Sequence, residues 1–214
     1  IGASSRFASA KFAVQATDSL RLRAVGRLSR SAADFNDQDF DFLSPTYGFV
    51  VDTDDRSSVR SAAMLLAAEE GAGEDGLRGS LSVQAVDSRR DAYDSAGRQT
   101  GDEGLRLKAS YVASLRFDAA GLAHRLVLAA DRERESFRNT SPFATPAQSM
   151  KRHIDNTGLV AEWGATFAER ASAGFALRHD HNGQFRAATT WRAQFGWRAF
   201  AGTQLHAAAG TGIK

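Results

Sequence analysis

Apolar and polar residues alternate one by one over long stretches of this chain, and that period of two limits the fold more than any other feature. Leu105, Leu107, Ala109, Tyr111, Ala113, Leu115 and Phe117 alternate with Arg106, Lys108, Ser110, Ser114 and Arg116. Trp191, Ala193, Phe195 and Trp197 do so with Arg192, Gln194 and Arg198 in the run "TTWRAQFGWRAF". Such alternation describes strands with two unlike faces. Further segments of this kind, some weaker, give about ten strands: 4–16, 19–30, 57–69, 76–88, 104–117, 121–135, 156–168, 171–180, 185–199 and 203–212. "VRSAAMLLAAEE" taken alone could be a helix, and only its context makes it a strand.

The expected strands reach 12–15 residues, against about 5–6 in ordinary globular sheets. Tight links follow 16, 69, 117, 168 and 199, whereas 31–56, 89–103 and 136–155 read as longer loops. Short and long connections alternate, as they do in outer-membrane barrels. All three prolines, Pro45, Pro142 and Pro146, fall in the longer loops, where no ladder hydrogen bond is lost. The fold class that follows is all-β, an antiparallel up-and-down transmembrane barrel. A soluble β-sandwich binding domain and a passive porin-like barrel are the alternatives.

Composition removes several functions. The 214 residues include no cysteine, so disulfides, thiolate metal sites and cysteine nucleophiles are excluded. A net charge of +2 gives no argument for nucleic acid. No apolar run approaches the roughly 20 residues of a membrane-spanning helix, which says nothing against a barrel. Neither a G-x-S-x-G elbow nor an H-E-x-x-H motif occurs, and the chain reads as no enzyme. "GAGEDG" at 71–76 reads as a hairpin turn, and "DRERESFR" at 131–138 as a solvated strand end. His179 and His181 share a side in "HDH" with no third ligand in view. Trp163, Trp191, Trp197, Tyr111, Phe175 and Phe200 are candidates for interfacial girdles. No signal-peptide pattern opens the chain, and residues 1–214 read as an internal barrel fragment.

Residues 177–214 carry a more specific pattern. Arg178, Asp180 and Phe185, then "TTWRAQFGW", then Gly210, Thr211, Gly212 and Lys214 resemble the mid-barrel of TonB-dependent outer-membrane receptors. "RRDAYDSAG" at 89–97 resembles a Tyr-Asp-Ala-Tyr loop of the vitamin B12 (cobalamin) transporter branch, with Arg90 in place of the tyrosine. "VDTDDRSSVRS" at 51–61 resembles that branch's aspartate-rich loop end. The resemblance implies a barrel of about 22 strands, with the plug domain, the TonB box and further strands lying outside these residues. It implies energised uptake of cobalamin or a ferric siderophore across the outer membrane of a Gram-negative bacterium. The implied partners are the TonB complex through the plug, outer-membrane lipid and the small-molecule substrate.

The 31–56 segment holds Asp34, Asp37, Asp39, Asp41, Asp52, Asp54 and Asp55 against Arg56 alone. Calcium takes 6–8 hard oxygen ligands and would offset the repulsion of such a cluster. The resemblance implies calcium held by Asp52 and Asp54 with Asp91 and Asp102, and more loosely by Asp37. It also implies that Arg192 and Arg198 face the lumen or plug.

Overall fold

A computed structural model describes residues 2–71, 76–168, 170–200 and 202–212. Ten strands run in chain order: β1 (Ala3–Gln15), β2 (Leu20–Gln38), β3 (Val50–Gly71), β4 (Gly76–Asp94), β5 (Gly97–Ala119), β6 (Leu122–Asn139), β7 (Arg152–Phe167), β8 (Ala171–Asn182), β9 (Ala188–Phe200) and β10 (Thr203–Gly210). All lie in one antiparallel sheet in the order β1 to β10, each paired with its neighbours in sequence. β1 and β10 are its two edges. The strand expected at 57–69 forms as part of β3. The glycine-rich link after β3 includes 72–75, which lie outside the described residues.

Opposed residues in an antiparallel pair share a face, so the register sorts the side chains. One row across seven strands reads Val14, Leu22, Ala68, Leu81, Tyr111, Ala130 and Leu159. A second reads Leu77, Leu115, Leu126, Trp163, Phe175, Ala193 and Ala209. Rows on the opposite face read Gln84, Lys108, Glu133, Asn156 and Asn182, or Arg23, Ala67, Ser82, Ser110 and Asp131.

The apolar face has no cover among the described residues: Leu77 stays 67% and Leu159 53% exposed. No described side chain is fully buried. The most enclosed positions include polar groups, with Glu133 8% exposed. A soluble sandwich would hide the apolar parity against a second layer; this single sheet leaves it open, the arrangement of a barrel wall that meets lipid. The apolar band covers residues 8–14 of β1, 20–28 of β2, 62–68 of β3, 77–85 of β4 and 159–167 of β7 on that parity. Trp191, Phe195 and Trp197 belong to it, and Arg192, Gln194 and Arg198 to the polar face.

The connections depart from the sequence expectation at one end of the sheet. The loop expected at 31–56 shrinks to 39–49, and the one at 136–155 to 140–151. The one expected at 89–103 is a tight turn at 95–96, because β4 and β5 pair on to Asp94 and Gly97. Beyond the apolar band both faces meet water, so both parities become polar while the ladder continues. At the other end, the β5–β6 link is two residues, Ala120 and Gly121, with φ of 53° and 74°, the positive φ pair of a type I′ hairpin.

Candidate functional site

The polar face carries the most connected chemistry. Arg106 Nη2 lies 2.6 Å from Glu133 Oε2, and Arg106 Nε 3.5 Å from Glu135. Lys108 Nζ lies 3.3 Å from Asp131 and 3.8 Å from Glu133. Arg178 Nη2 lies 3.8 Å from Asp131 and 2.6 Å from Asp180. The result is one ladder of alternating sign, Glu135–Arg106–Glu133–Lys108–Asp131–Arg178–Asp180, across β5, β6 and β8.

The intervening strand β7 places Gly158 between Asp131 and Asp180. A Cβ there would stand 2.7 Å from both Arg178 Nη2 and Asp131 Oδ2. The missing side chain is what lets the guanidinium cross a strand. Further along this face, Arg125, Glu162, Arg192 and Gln194 line a polar recess of about 280 Å³. The charged run 131–138 is therefore not simply solvated: Asp131, Glu133 and Glu135 are three of the ladder's four carboxylates. The sign alternation hinted at this, but the partners on β5 and β8 depend on register.

On the outward parity, charged side chains form a collar beyond the apolar band. Arg89 Nε lies 2.9 Å and Arg98 Nε 3.0 Å from the Asp91 carboxylate, which is 8% exposed. Glu103 lies 3.3 Å from Arg89. Arg134 donates two hydrogen bonds to Asp155, at 2.8 and 3.0 Å. Arg98 Nη2 also donates to the carbonyl and hydroxyl of Thr140, and Ser141 Oγ donates to the Gln99 carbonyl at 2.7 Å. The β4–β5 hairpin and the 140–151 loop are thereby tied together.

The 39–49 loop is closed by backbone hydrogen bonds from Asp39 N to Phe49 O and from Gly48 N to Asp39 O. The Asp39 carboxylate accepts the Thr46 hydroxyl at 2.6 Å and the Asp41 amide at 2.9 Å. The hydroxyls of Ser44 and Thr46, then that amide, hold its pKa below the ordinary carboxylate value. Phe40, Phe42, Leu43 and Phe49 stand exposed on the same loop, with Phe42 edge-on to Tyr47 at 5.3 Å. A sequence reading directed at the loop's aspartates overlooks this aromatic tip.

The five expected calcium ligands are not brought together. Asp91 faces Gly101, so Asp102 points to the opposite side of the sheet, level with Arg90. Asp91 is also occupied by two guanidinium groups. Asp37 is paired with Val51, which puts it on the parity opposite to Asp52 and Asp54. Asp52 and Asp54 share the parity of Ser58, which faces Asp91, but both are exposed and lie beyond the end of the β4 pairing. No group of three metal-ligating side chains forms among the described residues. In the "HDH" run, His179 hydrogen-bonds the Thr189 hydroxyl at 2.8 Å, and Asp180 turns to the other face and Arg178.

No family model and no curated protein matches this chain. Solved structures do. The siderophore receptor PirA of Acinetobacter baumannii aligns with 96% of the chain and 33% of its own, at TM-score 0.76 and 12% identity. A variant of the ferric enterobactin receptor PfeA of Pseudomonas aeruginosa aligns with 96% and 32%, at 0.73 and 13%. The alcaligin outer-membrane receptor FauA of Bordetella pertussis aligns with 93% and 34%, at 0.63 and 11%. The chain thus spans about a third of the length of these neighbours. It has the fold of a stretch of ten consecutive strands from an outer-membrane receptor barrel.

Proposed function

We propose that this chain is part of the wall of a TonB-dependent receptor in the outer membrane of a Gram-negative bacterium, one that takes up a ferric siderophore. The observation that carries the reading is the single ten-strand sheet with an uncovered apolar face, matched along 96% of its length by siderophore-receptor barrels. Two of the three neighbours are named for siderophores or their iron complexes, which favours such a cargo over cobalamin. In this role the chain does no covalent chemistry. Its outward parity meets lipid. The polar face, with its ion ladder and the Arg192 recess, lines the lumen and meets the plug. The Phe40, Phe42 and Phe49 tip belongs to the outer capture surface.

The test is uptake of iron-59-labelled siderophores by cells whose receptor carries this chain. Saturable uptake that disappears when TonB is deleted is the expected result. Uptake independent of TonB would point to a passive pore. A chain that stays monomeric in detergent-free buffer, with its Leu and Trp parity shielded from a hydrophobic probe, would overturn the barrel itself.

A further inference from the structure

We infer that the recess between Arg125 and Arg192, on the polar face near the short turns, is a resting site for an anionic ferric chelate on its way through the barrel. The inference rests on the siderophore-receptor reading above and adds the charge class of the cargo.

The polar face divides by charge. Toward the long loops its cations are matched: Arg106, Lys108 and Arg178 each have a carboxylate within 4 Å. Toward the short turns they are not. Arg116 stands directly opposite Arg125, and like charges so placed are destabilising. Arg192 shares their face, in the row that runs from Val127 through Glu162 and Ala176. None of the three arginines has an ion pair among the described residues. Glu162 lines the same recess, and Asp118 lies two residues beyond Arg116 at the hairpin turn. Neither comes within 4 Å of the three. Glu69, on the same face of β3, already holds Arg23 at 3.0 Å. The recess therefore keeps a positive surplus, and a cleft lined by one sign of charge concentrates ions of the other.

The floor of the recess is bare backbone. Gly164 and Gly174 face each other across β7 and β8. Pairing from β6 to β9 runs through them without a bulge, so neither glycine serves a bend. A glycine inside a strand weakens it and often marks close approach by a ligand or another backbone. A Cβ on Gly174 would stand 3.1 Å from Gln194 Nε2, and one on Gly164 would meet only the Ala173 carbonyl oxygen, at 3.8 Å. Bare backbone alone suits any close neighbour. The guanidinium groups on either side of it select an anion rich in oxygen, which they bind in a bidentate fork. Neighbouring strands lie about 4.8 Å apart, so Arg125 on β6 and Arg192 on β9 are anchored about 14 Å apart. That span fits a chelate with anionic oxygens on several sides better than a small ion.

The test measures uptake of iron-59 by energised cells whose receptor carries this chain. The probes are ferric complexes of catecholate, carboxylate and hydroxamate chelators. Three dianionic catecholates leave ferric iron with a net negative charge; three monoanionic hydroxamates leave it neutral. Arg125→Gln/Arg192→Gln should take up anionic chelates about tenfold or more slowly than wild type. Binding to de-energised cells should be unchanged, and so should uptake of any neutral chelate. Gly164→Val, which fills the floor without a clash, should slow anionic uptake several-fold. Wild-type uptake confined to neutral chelates overturns the proposal, as does anionic uptake that the double variant leaves intact. An unaffected Gly164→Val receptor overturns it too, and decides the matter if the double variant fails to reach the membrane. Leakage of a large hydrophilic antibiotic through the double variant without TonB would assign the recess to holding the plug and overturn its role for cargo. Uptake of none of the chelates by wild type overturns the siderophore reading itself, a result distinct from uptake that ignores the recess.

Discussion

The outward collar has two halves that solve the same problem differently. On β4–β7 Arg89 and Arg98 share Asp91, and Arg134 grips Asp155. On β1–β3 the arginines Arg6, Arg30 and Arg60 stand opposite one another, and Arg60 also opposite Arg89, with no ion pair of their own among the described residues. Exposed ion pairs contribute only about 0–1 kcal/mol, so a sheet in high dielectric tolerates either arrangement. Pairing is therefore no requirement of the fold. What separates the halves is availability: the paired half spends its charge on tying the β4–β5 hairpin to the 140–151 loop, and the unpaired half leaves its charge open to whatever approaches from outside.

The comparison holds only if both halves stand beyond the hydrocarbon, and this is the prediction with the largest effect. Leu81→Arg, in the middle of the apolar band, should cost about 2–4 kcal/mol in urea unfolding of the micellar receptor. Ser82→Arg, one residue along and on the polar face, should cost under about 0.5 kcal/mol. Equal costs would place the band wrongly.

A smaller effect separates the halves from each other. Asp91→Asn leaves two guanidinium groups around an enclosed site without their counter-charge, and about 1–2 kcal/mol should be lost, discounted for the partial exposure of both arginines. Arg60→Gln should be neutral or stabilise slightly, by up to about 0.5 kcal/mol, since it relieves like-charge opposition. The two urea midpoints should therefore move in opposite directions or one should not move at all.

Gly158→Ala probes the inner ladder against the collar. The atoms it would strike are the far ends of Arg178 and Asp131, so the fold should survive with a loss below about 1 kcal/mol. A double-mutant cycle with Asp131→Asn should show the coupling to Arg178 gone.

The smallest effect concerns the loop above β2 and β3. The folded-state pKa of Asp39 is depressed. Its contribution is thus present above the ordinary carboxylate range and lost as pH falls through the depressed value. Protease cleavage within 39–49 should rise on acidification to about pH 3. Calcium at millimolar concentration should leave that cleavage unchanged at neutral pH, because Asp37, Asp52, Asp54, Asp91 and Asp102 are not gathered; strong protection would show that the loops rearrange to bind it.

All ten strands were legible in the sequence because a sheet with one apolar and one polar face writes both into alternate residues. Legibility failed where the two faces became alike. From 89 to 103 both faces are wet, so Asp91 and Asp102 read as loop residues although both lie on paired strands with opposite orientations. In 59–70 both parities hold apolar residues, Leu65 and Ala67 on one and Met64 and Leu66 on the other, which blurred the period. The ladder from Glu135 to Asp180 and the row from Arg6 to Arg60 were hidden for another reason: each joins residues of different strands, and only register aligns them.

Every strand of this sheet pairs only with the strands before and after it in the chain. Such a wall is one-dimensional in its connectivity, like a picket fence. A hairpin inserted or deleted would change the girth and the number of outer loops while leaving every other pairing intact. Diversity in what such walls enclose can then accumulate one hairpin at a time, with no rewiring of the strands already in place.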